Sequence, residues 1–336
     1  MATVLLTGAS GFLGSHTVQL LLDRGHRVRA LVRSRSRLAA ALGPLGVDPD
    51  DERIEAVVGD MTDASTIEEA VSGCEAAVHA AATYSYKRRD REAMARDNAL
   101  GTRAVLEAGR NAGCRVLVHV SSTVALARPG GVTLDHKSPL GPGLGPYSDS
   151  KVASERVARA LQDSGAPVTI VNPGGILGPH DPYLGETDEL VLQILQGRLP
   201  VFPRGLNQYV DVRDTAAVIA AAVDADPGGR YLVPGEARTD LHAPLREATG
   251  RGLHVLHLPP RMAELGTLPG YLTGWSFLPG ATEGARILGC GNPVDSSITT
   301  ARLGVQARPL LESLRDTVRW LVDSGHLVAK HAGNAL

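Results

Sequence analysis

The sequence predicts an α/β protein, a doubly wound parallel sheet with a smaller C-terminal lobe, on three observations. Short apolar, partly β-branched runs alternate with helical patterns through the first half of the chain. Glycines at three-residue intervals, Gly8, Gly11 and Gly14, close the first run and open the first helix. Aromatics are only 4% of the residues, so the core must be built from Ala, Val and Leu, as in parallel strands covered by helices on both faces.

With 336 residues the chain is long enough for one large or two modest domains with a sizeable core. Cys74, Cys114 and Cys290 are far apart with no C-x-x-C pair, which argues against zinc and a disulfide framework and suits a reducing cytoplasm. No metal site is expected. A net charge of -2 with 21% charged residues gives no field that recruits nucleic acid or an anionic membrane, so small neutral partners are favoured. Met1 runs into Ala2 to Thr7 without a basic, apolar leader pattern, and no apolar run approaches the ~18 residues of a membrane span.

Thr3 to Thr7 reads as a strand stopped by glycine, and Phe12, Leu13, Val18 and Leu20 to Leu22 read as the helix after it. Without a Cβ at Gly8 and Gly11 the backbone can approach a pyrophosphate, and the helix N-terminus offers free N–H groups, so Gly8, Ser10, Gly11, Phe12 and Leu13 form a candidate cradle. Gly25 ends that helix, and Arg27 to Val32 is a second strand that delivers Arg33-Ser-Arg-Ser-Arg37. In a dinucleotide fold this strand end faces the adenosine ribose, where an acid holds a free 2′-hydroxyl and an arginine a 2′-phosphate. No acid stands there. Arg33, with Arg37 as helper, is the expected phosphate ligand, and Arg35 is read as solvated surface.

Ile54 to Val58 is a third strand ending near Asp60 and Met61, with Asp60 a candidate acceptor for an adenine amino group and Asp63 the N-cap of the helix reaching Val71. Glu75 to His79 is a fourth strand running into Ala80 and Ala81, whose small side chains let a ligand lie against the backbone. His79 is read as a packed histidine, since no Cys/His/Glu set accompanies it. Asp90 to Ala112 is a long helix, and Arg115 to Val120 a fifth strand that delivers Ser121-Ser122-Thr123 to the sheet edge where such folds place their chemistry. After a Pro/Gly-rich loop come a helix from Tyr147 to Ser164, a sixth strand from Val168 to Val171, and Asn172-Pro-Gly-Gly-Ile176.

Tyr147 and Lys151 lie four apart on that helix, about one turn from each other on one face. An ammonium near a phenol favours the phenolate, so the pair is expected to lower the tyrosine pKa and to make Tyr147 a proton donor or acceptor. The spacing alone also fits an ordinary helix surface.

Taken in order, T-G-A-S-G-F-L-G, G-D-M-T-D, H-A-A-A, N-A-L-G-T, V-S-S-T, Y-S-D-S-K and N-P-G-G-I-L-G-P resemble the extended short-chain dehydrogenase/reductases over nearly the whole chain. The resemblance implies a Rossmann-type fold and a catalytic Ser122, Tyr147 and Lys151, with Asn98 helping to fix the lysine through water. It implies that Pro173, Gly174, Gly175 and Ile176 line the nicotinamide. Within the family the strand-2 arginine looks most like dihydroflavonol-reductase-type enzymes, which implies an NADPH-dependent reductase of a small-molecule carbonyl, reversibly an alcohol dehydrogenase, with NAD less suited. Two alternatives stand beside it. Sugar-nucleotide epimerases keep NAD and want an acid after strand 2, and dehydratases want an acid pair where Thr123-Val124 stands. Non-catalytic sensors of this fold tend to lose the tyrosine.

Residues 1–171 are therefore expected to form the cofactor domain and 172–330 mainly a substrate lobe with segments returning to the sheet, while 331–336 should fray. Helices are expected at Thr187 to Leu195, from an Asp214 N-cap to Val223, at Asp240 to Ala248, and at Pro309 to Val322, with Arg213 and Asp214 structural. His254 and His257 lack a third ligand. Leu268 to Gly280, with Tyr271, Trp275 and Phe277, is read as a pocket wall. The two long helices carry small residues (Ala99, Ala104, Ala108; Val152, Val157, Ala160), as a homodimer interface in this family would, although Arg103, Glu107, Arg156 and Arg159 are interspersed.

Overall fold

The computed structural model describes residues 1–83, 90–273 and 280–336. Trp275 and Phe277 of the expected pocket wall lie outside these residues. The first half runs β1 (Thr3–Thr7), α1 (Phe12–Asp23), β2 (Arg27–Val32), α2 (Arg35–Leu42), β3 (Ile54–Val58), α3 (Ala64–Val71), β4 (Ala76–His79), α4 (Arg91–Asn111), β5 (Val116–Val120), α5 (Pro146–Asp163) and β6 (Val168–Asn172). Alternate residues of each strand face opposite layers. Val4 and Leu6 of β1 enter a core shared with Val18 and Leu21 of α1, whereas Leu5 enters the opposite core with Val105 and Leu106 of α4 and Ala158 and Leu161 of α5.

The second half runs β7 (Gly175–Leu177), α6 (Glu186–Leu195), β8 (Val201–Pro203), β9 (Asn207–Asp211), α7 (Val212–Asp224), β10 (Arg230–Leu232), β11 (Glu236–Arg238), α8 (His242–Thr249), β12 (Leu256–Leu258), α9 (Pro260–Thr273), α10 (Ala281–Cys290), α11 (Ser297–Leu303) and α12 (Leu310–Asp323). The strands β7, β8, β10, β11 and β12 have three residues each, too brief to show a period in sequence. β10 returns to the main sheet, whose seven parallel strands are ordered β10-β6-β5-β4-β1-β2-β3. The order reverses between β1 and β4, so the crevice for a ligand opens at the C-terminal ends of Thr7 and His79. A third core of Leu177, Leu192, Tyr209, Leu241 and Leu314 holds the smaller lobe together.

Two expectations are corrected. The C-terminal tail does not fray: Ala332 and Ala335 are fully buried in the lobe core, and Arg319 donates from Nε to the Ala335 carbonyl at 2.8 Å. Its small residues suit close packing, shown by Gly333, where a Cβ would lie 2.0 Å from the Thr249 carbonyl oxygen. Helix α7 is capped by Asp211, not Asp214, because the Asp211 carboxylate accepts from the Arg213 amide at 2.8 Å. Asp214 instead accepts from the Arg308 amide at 2.6 Å, and Arg213 bridges Asp211 and Asp316, tying α7 to α12 as a structural role requires.

Candidate active site

Gly8 turns the chain off β1 at φ +81, where L side chains are strained, and a Cβ there would lie 2.9 Å from the Ala81 amide nitrogen. The Gly11 amide donates to the Gly8 carbonyl at 2.9 Å, and Gly14 must lack a Cβ because one would sit 2.0 Å from that oxygen. Gly11 caps α1 without a side chain and no acid occupies the first helical turn, so the amides and the positive helix end are left for an anion. Ser10, Phe12 and Leu13 are half-buried around this mouth, with Ala80 and Ala81 half-buried opposite. The cradle fits a dinucleotide pyrophosphate.

At the end of β2, Arg33 and Arg37 are exposed and make no side-chain hydrogen bond or ion pair among the described residues, whereas Arg35 donates to the Ala56 carbonyl at 3.0 Å. Asp60 beyond β3 accepts from the Thr62 hydroxyl at 2.7 Å and amide at 2.9 Å. Those bonds hold its carboxyl below the ordinary value, and Arg33 adds to the effect. Asp63 accepts from the Ser65 amide at 3.1 Å and caps α3, while Met61 packs where a Cβ on Gly101 would meet its side chain.

Ser122 leaves β5, and its hydroxyl lies near enough to the Tyr147 phenol of α5 to favour the phenolate. The Lys151 Nζ stands 5.9 Å from the Tyr147 ring centroid. Burial pushes the Lys151 ammonium down to about 8, opposed by Glu155 one turn further on. The expectation that Lys151 lowers the tyrosine is corrected: burial pushes the Tyr147 phenol well above its ordinary value, and Glu186 and Glu283 add to it while Ser122 opposes them. Desolvation dominates because a buried phenolate loses its water and meets two carboxylates.

Asn98 is buried, and its Oδ1 accepts from the Thr83 amide at 2.7 Å while Nδ2 donates to the Thr83 carbonyl at 2.8 Å and the Ser150 hydroxyl at 2.6 Å. It pins the segment after β4 to the residue before Lys151 and makes no direct bond to that lysine. Pro173 accepts from the Thr123 amide at 2.8 Å and from the Ser122 hydroxyl at 3.4 Å. Gly174 lies so close to β9 that a Cβ would meet the Gln208 carbonyl oxygen at 2.3 Å, which sets Gly175 and Ile176 at the start of β7 beside the serine.

Two carboxylates at the site escaped sequence reasoning. Glu155, fully buried, accepts from Ser121 Oγ at 2.5 Å, Asn172 Nδ2 at 2.7 Å and Arg159 Nε at 2.9 Å, joining α5 to the ends of β5 and β6. Its place four residues after Lys151, on the same helical face, was the available signal. Glu283 of α10 accepts from the Tyr147 and Ser148 amides at the start of α5, and nothing in the sequence links residues so far apart. His79 is a packed histidine: its Nδ1 lies 2.9 Å from the Thr7 hydroxyl, its ring stacks on His119 at 5.8 Å, and burial pushes its pKa down to about 3. His257 pairs with Asp240 at 2.9 Å, and the described residues hold no cluster of three or more metal-ligating side chains. Next to Thr123 a cleft is lined by apolar side chains, among them Val124, Leu134, Ile287 and Val294, together with the amides Asn207, Gln208 and Asn292.

A model of the NAD dependent epimerase/dehydratase family matches residues 4–233. The chain is 34% identical over 334 residues to sterol demethylase protein B of Methylococcus capsulatus, covering 96% of this chain and 99% of that one. It is 31% identical over 348 residues to a putative dihydroflavonol 4-reductase of Synechocystis, covering 96% and 95%. In fold it is similar to a dTDP-glucose 4,6-dehydratase from Streptomyces venezuelae crystallised with NAD, at a TM-score of 0.74 and 24% identity over 95% of this chain and 96% of that one.

Proposed function

This chain belongs to the NAD dependent epimerase/dehydratase family, and from that premise we propose that it is an NADPH-dependent reductase of a ketone or aldehyde on a small, largely apolar molecule, reversibly an alcohol dehydrogenase. The observation that carries this reading is the convergence of Ser122, Tyr147 and Lys151, the lysine Nζ 5.9 Å from the tyrosine ring centroid, next to a cleft of mixed apolar and amide lining. Thr123 and Val124 follow Ser122 where the family's dehydratases carry an acid pair, and no acid follows β2 where an NAD-retaining epimerase would want one.

A bound nicotinamide supplies the hydride. Ser122 donates its hydroxyl proton to the substrate oxygen as a hydrogen bond and holds the carbonyl over the site. Tyr147, kept protonated by burial and its carboxylate neighbours, gives its proton to that oxygen as alkoxide charge develops. Lys151, cationic below about pH 8, stabilises the phenolate left behind. Arg33, with Arg37 near it, takes the 2′-phosphate of NADP, for which a guanidinium is suited and a ribose hydroxyl is not. The protein acts in the cytoplasm, where its buried cysteines stay reduced, and as a homodimer paired across α4 and α5.

The test is an NADPH-oxidation screen over ketones and aldehydes beside a panel of nucleoside-diphosphate sugars. Oxidation with apolar carbonyls and none with the sugars is expected. Isomerisation of a sugar nucleotide without net NADPH use would replace this reading with the epimerase one.

A further inference from the structure

We propose that Glu283 is a positioning residue for the reaction, through which α10 couples filling of the cleft to the placement of Tyr147. The proposal rests on the reductase reading for what Tyr147 does. Glu283 is 1% exposed, and its two carboxylate oxygens accept from the Tyr147 amide at 3.1 Å and the Ser148 amide at 2.6 Å. It forms no ion pair among the described residues, so these amides and the positive end of α5 are its counter-charge. The N-cap of α5 is Gly145, which has no side chain to offer, and Glu283 supplies the cap from another part of the chain. That approach requires the glycine: a Cβ on Gly145 would lie 2.6 Å from Glu283 Cδ.

The same helix holds the neighbouring loop and the cleft. Arg286 donates from Nη1 to the Leu144 carbonyl at 3.1 Å and from Nε to Glu264 of α9 at 2.7 Å. Ile287, one turn after Glu283, lines the cleft beside Thr123 and Val124. A substrate seated against Ile287 therefore bears on the helix whose carboxylate fixes the end of α5 from which Tyr147 projects. Binding energy from the non-reacting part of the substrate is in this way directed to the reacting centre.

The charged groups facing this contact are Lys151 and Asp149 of α5, the latter paired with Arg91 of α4, together with Glu186 of α6, Glu264 of α9 and Arg286 of α10. Burial raises the Glu283 carboxyl above its ordinary value while the two amides oppose it. As pH falls through that raised value, Glu283 takes up a proton, becomes a weaker acceptor and loosens the cap.

Glu283→Gln and Gly145→Ala, each in the full chain, test the proposal in two assays. Amide hydrogen exchange reads the cap without any turnover, because N–H groups in the first helical turn have no partner within the helix. Both variants should exchange the Tyr147 and Ser148 amides about tenfold faster, the rest of α5 being unchanged. Kinetics on a carbonyl from the NADPH screen should show kcat lowered about tenfold in Glu283→Gln, an unmoved KM for NADPH, and loss of the acid limb that Glu283 gives the wild type. Unchanged exchange, or a loss confined to KM, overturns the proposal. A wild type that reduces no carbonyl defeats the reductase reading, while exchange still decides whether Glu283 holds the end of α5.

Discussion

The Ser121 hydroxyl donates to the Glu155 carboxylate at 2.5 Å, and this bond ties the strand that delivers Ser122 to the helix that carries Lys151. Asn172 joins the same oxygen at 2.7 Å and also donates to the Ser122 carbonyl at 3.1 Å, so one carboxylate sets the relative positions of the serine, the lysine and the Pro173 segment.

Glu155→Ala should destabilise the fold by about 3–5 kcal/mol, because it leaves the Ser121 hydroxyl and the Asn172 amide buried without their acceptor and removes the ion-pair partner of the half-buried Arg159. Denaturant unfolding measures it, and a loss below about 1 kcal/mol would contradict the clamp.

Lys151 gives the site its alkaline limit. Burial sets its pKa at about 8, so the cation is present below that pH and lost as pH rises through it. Tyr147 is shifted the other way, and its own ionisation lies higher. Reductive kcat/KM should fall with a midpoint near pH 8, and in Glu155→Gln the midpoint should move to lower pH, since Glu155 raises the lysine. The stability contribution of Lys151 has the opposite slope: the unfolded chain holds its proton up to 10.5, so stability rises with pH between about 8 and 10.5. An unchanged midpoint in the variant would separate Glu155 from the lysine.

The fold was legible because its signals are local. The apolar run from Thr3 to Thr7 and the glycines at 8, 11 and 14 state a strand, a turn and a helix within a short stretch. Tyr147 and Lys151 were legible because a helix converts a spacing of four into a shared face. The direction of the Tyr147 shift was not, since it depends on burial and on Glu186 and Glu283, brought in from distant segments. The packed tail was missed for the same reason: Ala332 and Ala335 look featureless until α12 and α8 cover them.

Arg33→Ala should weaken NADPH binding about 10–100-fold and leave NADH binding nearly unchanged, as loss of one charge-assisted phosphate contact predicts. Fluorescence titration of both cofactors decides it. Equal loss for the two, or tighter NADH binding by the wild type, would remove Arg33 from the 2′-phosphate role.

Of the small residues expected on the outer face of α4 and α5, Val152 is buried and Ala104, Ala108 and Val157 pack against the core, while Arg103 pairs with Glu107 on its own helix and Arg159 turns inward to Glu155. Leu100 of α4 is 53% exposed. Light scattering at micromolar concentration should give a dimer, and Leu100→Arg should give a monomer. A monomeric wild type would contradict the pairing.

The most direct test of the whole account is Tyr147→Phe, assayed for carbonyl reduction and for NADPH affinity in the same preparation. The change removes one hydroxyl and little packing, so turnover should fall by about a thousandfold or more, as loss of the proton donor requires, with cofactor affinity within a few fold of wild type. A variant that kept most of its kcat would show that Tyr147 is not the acid.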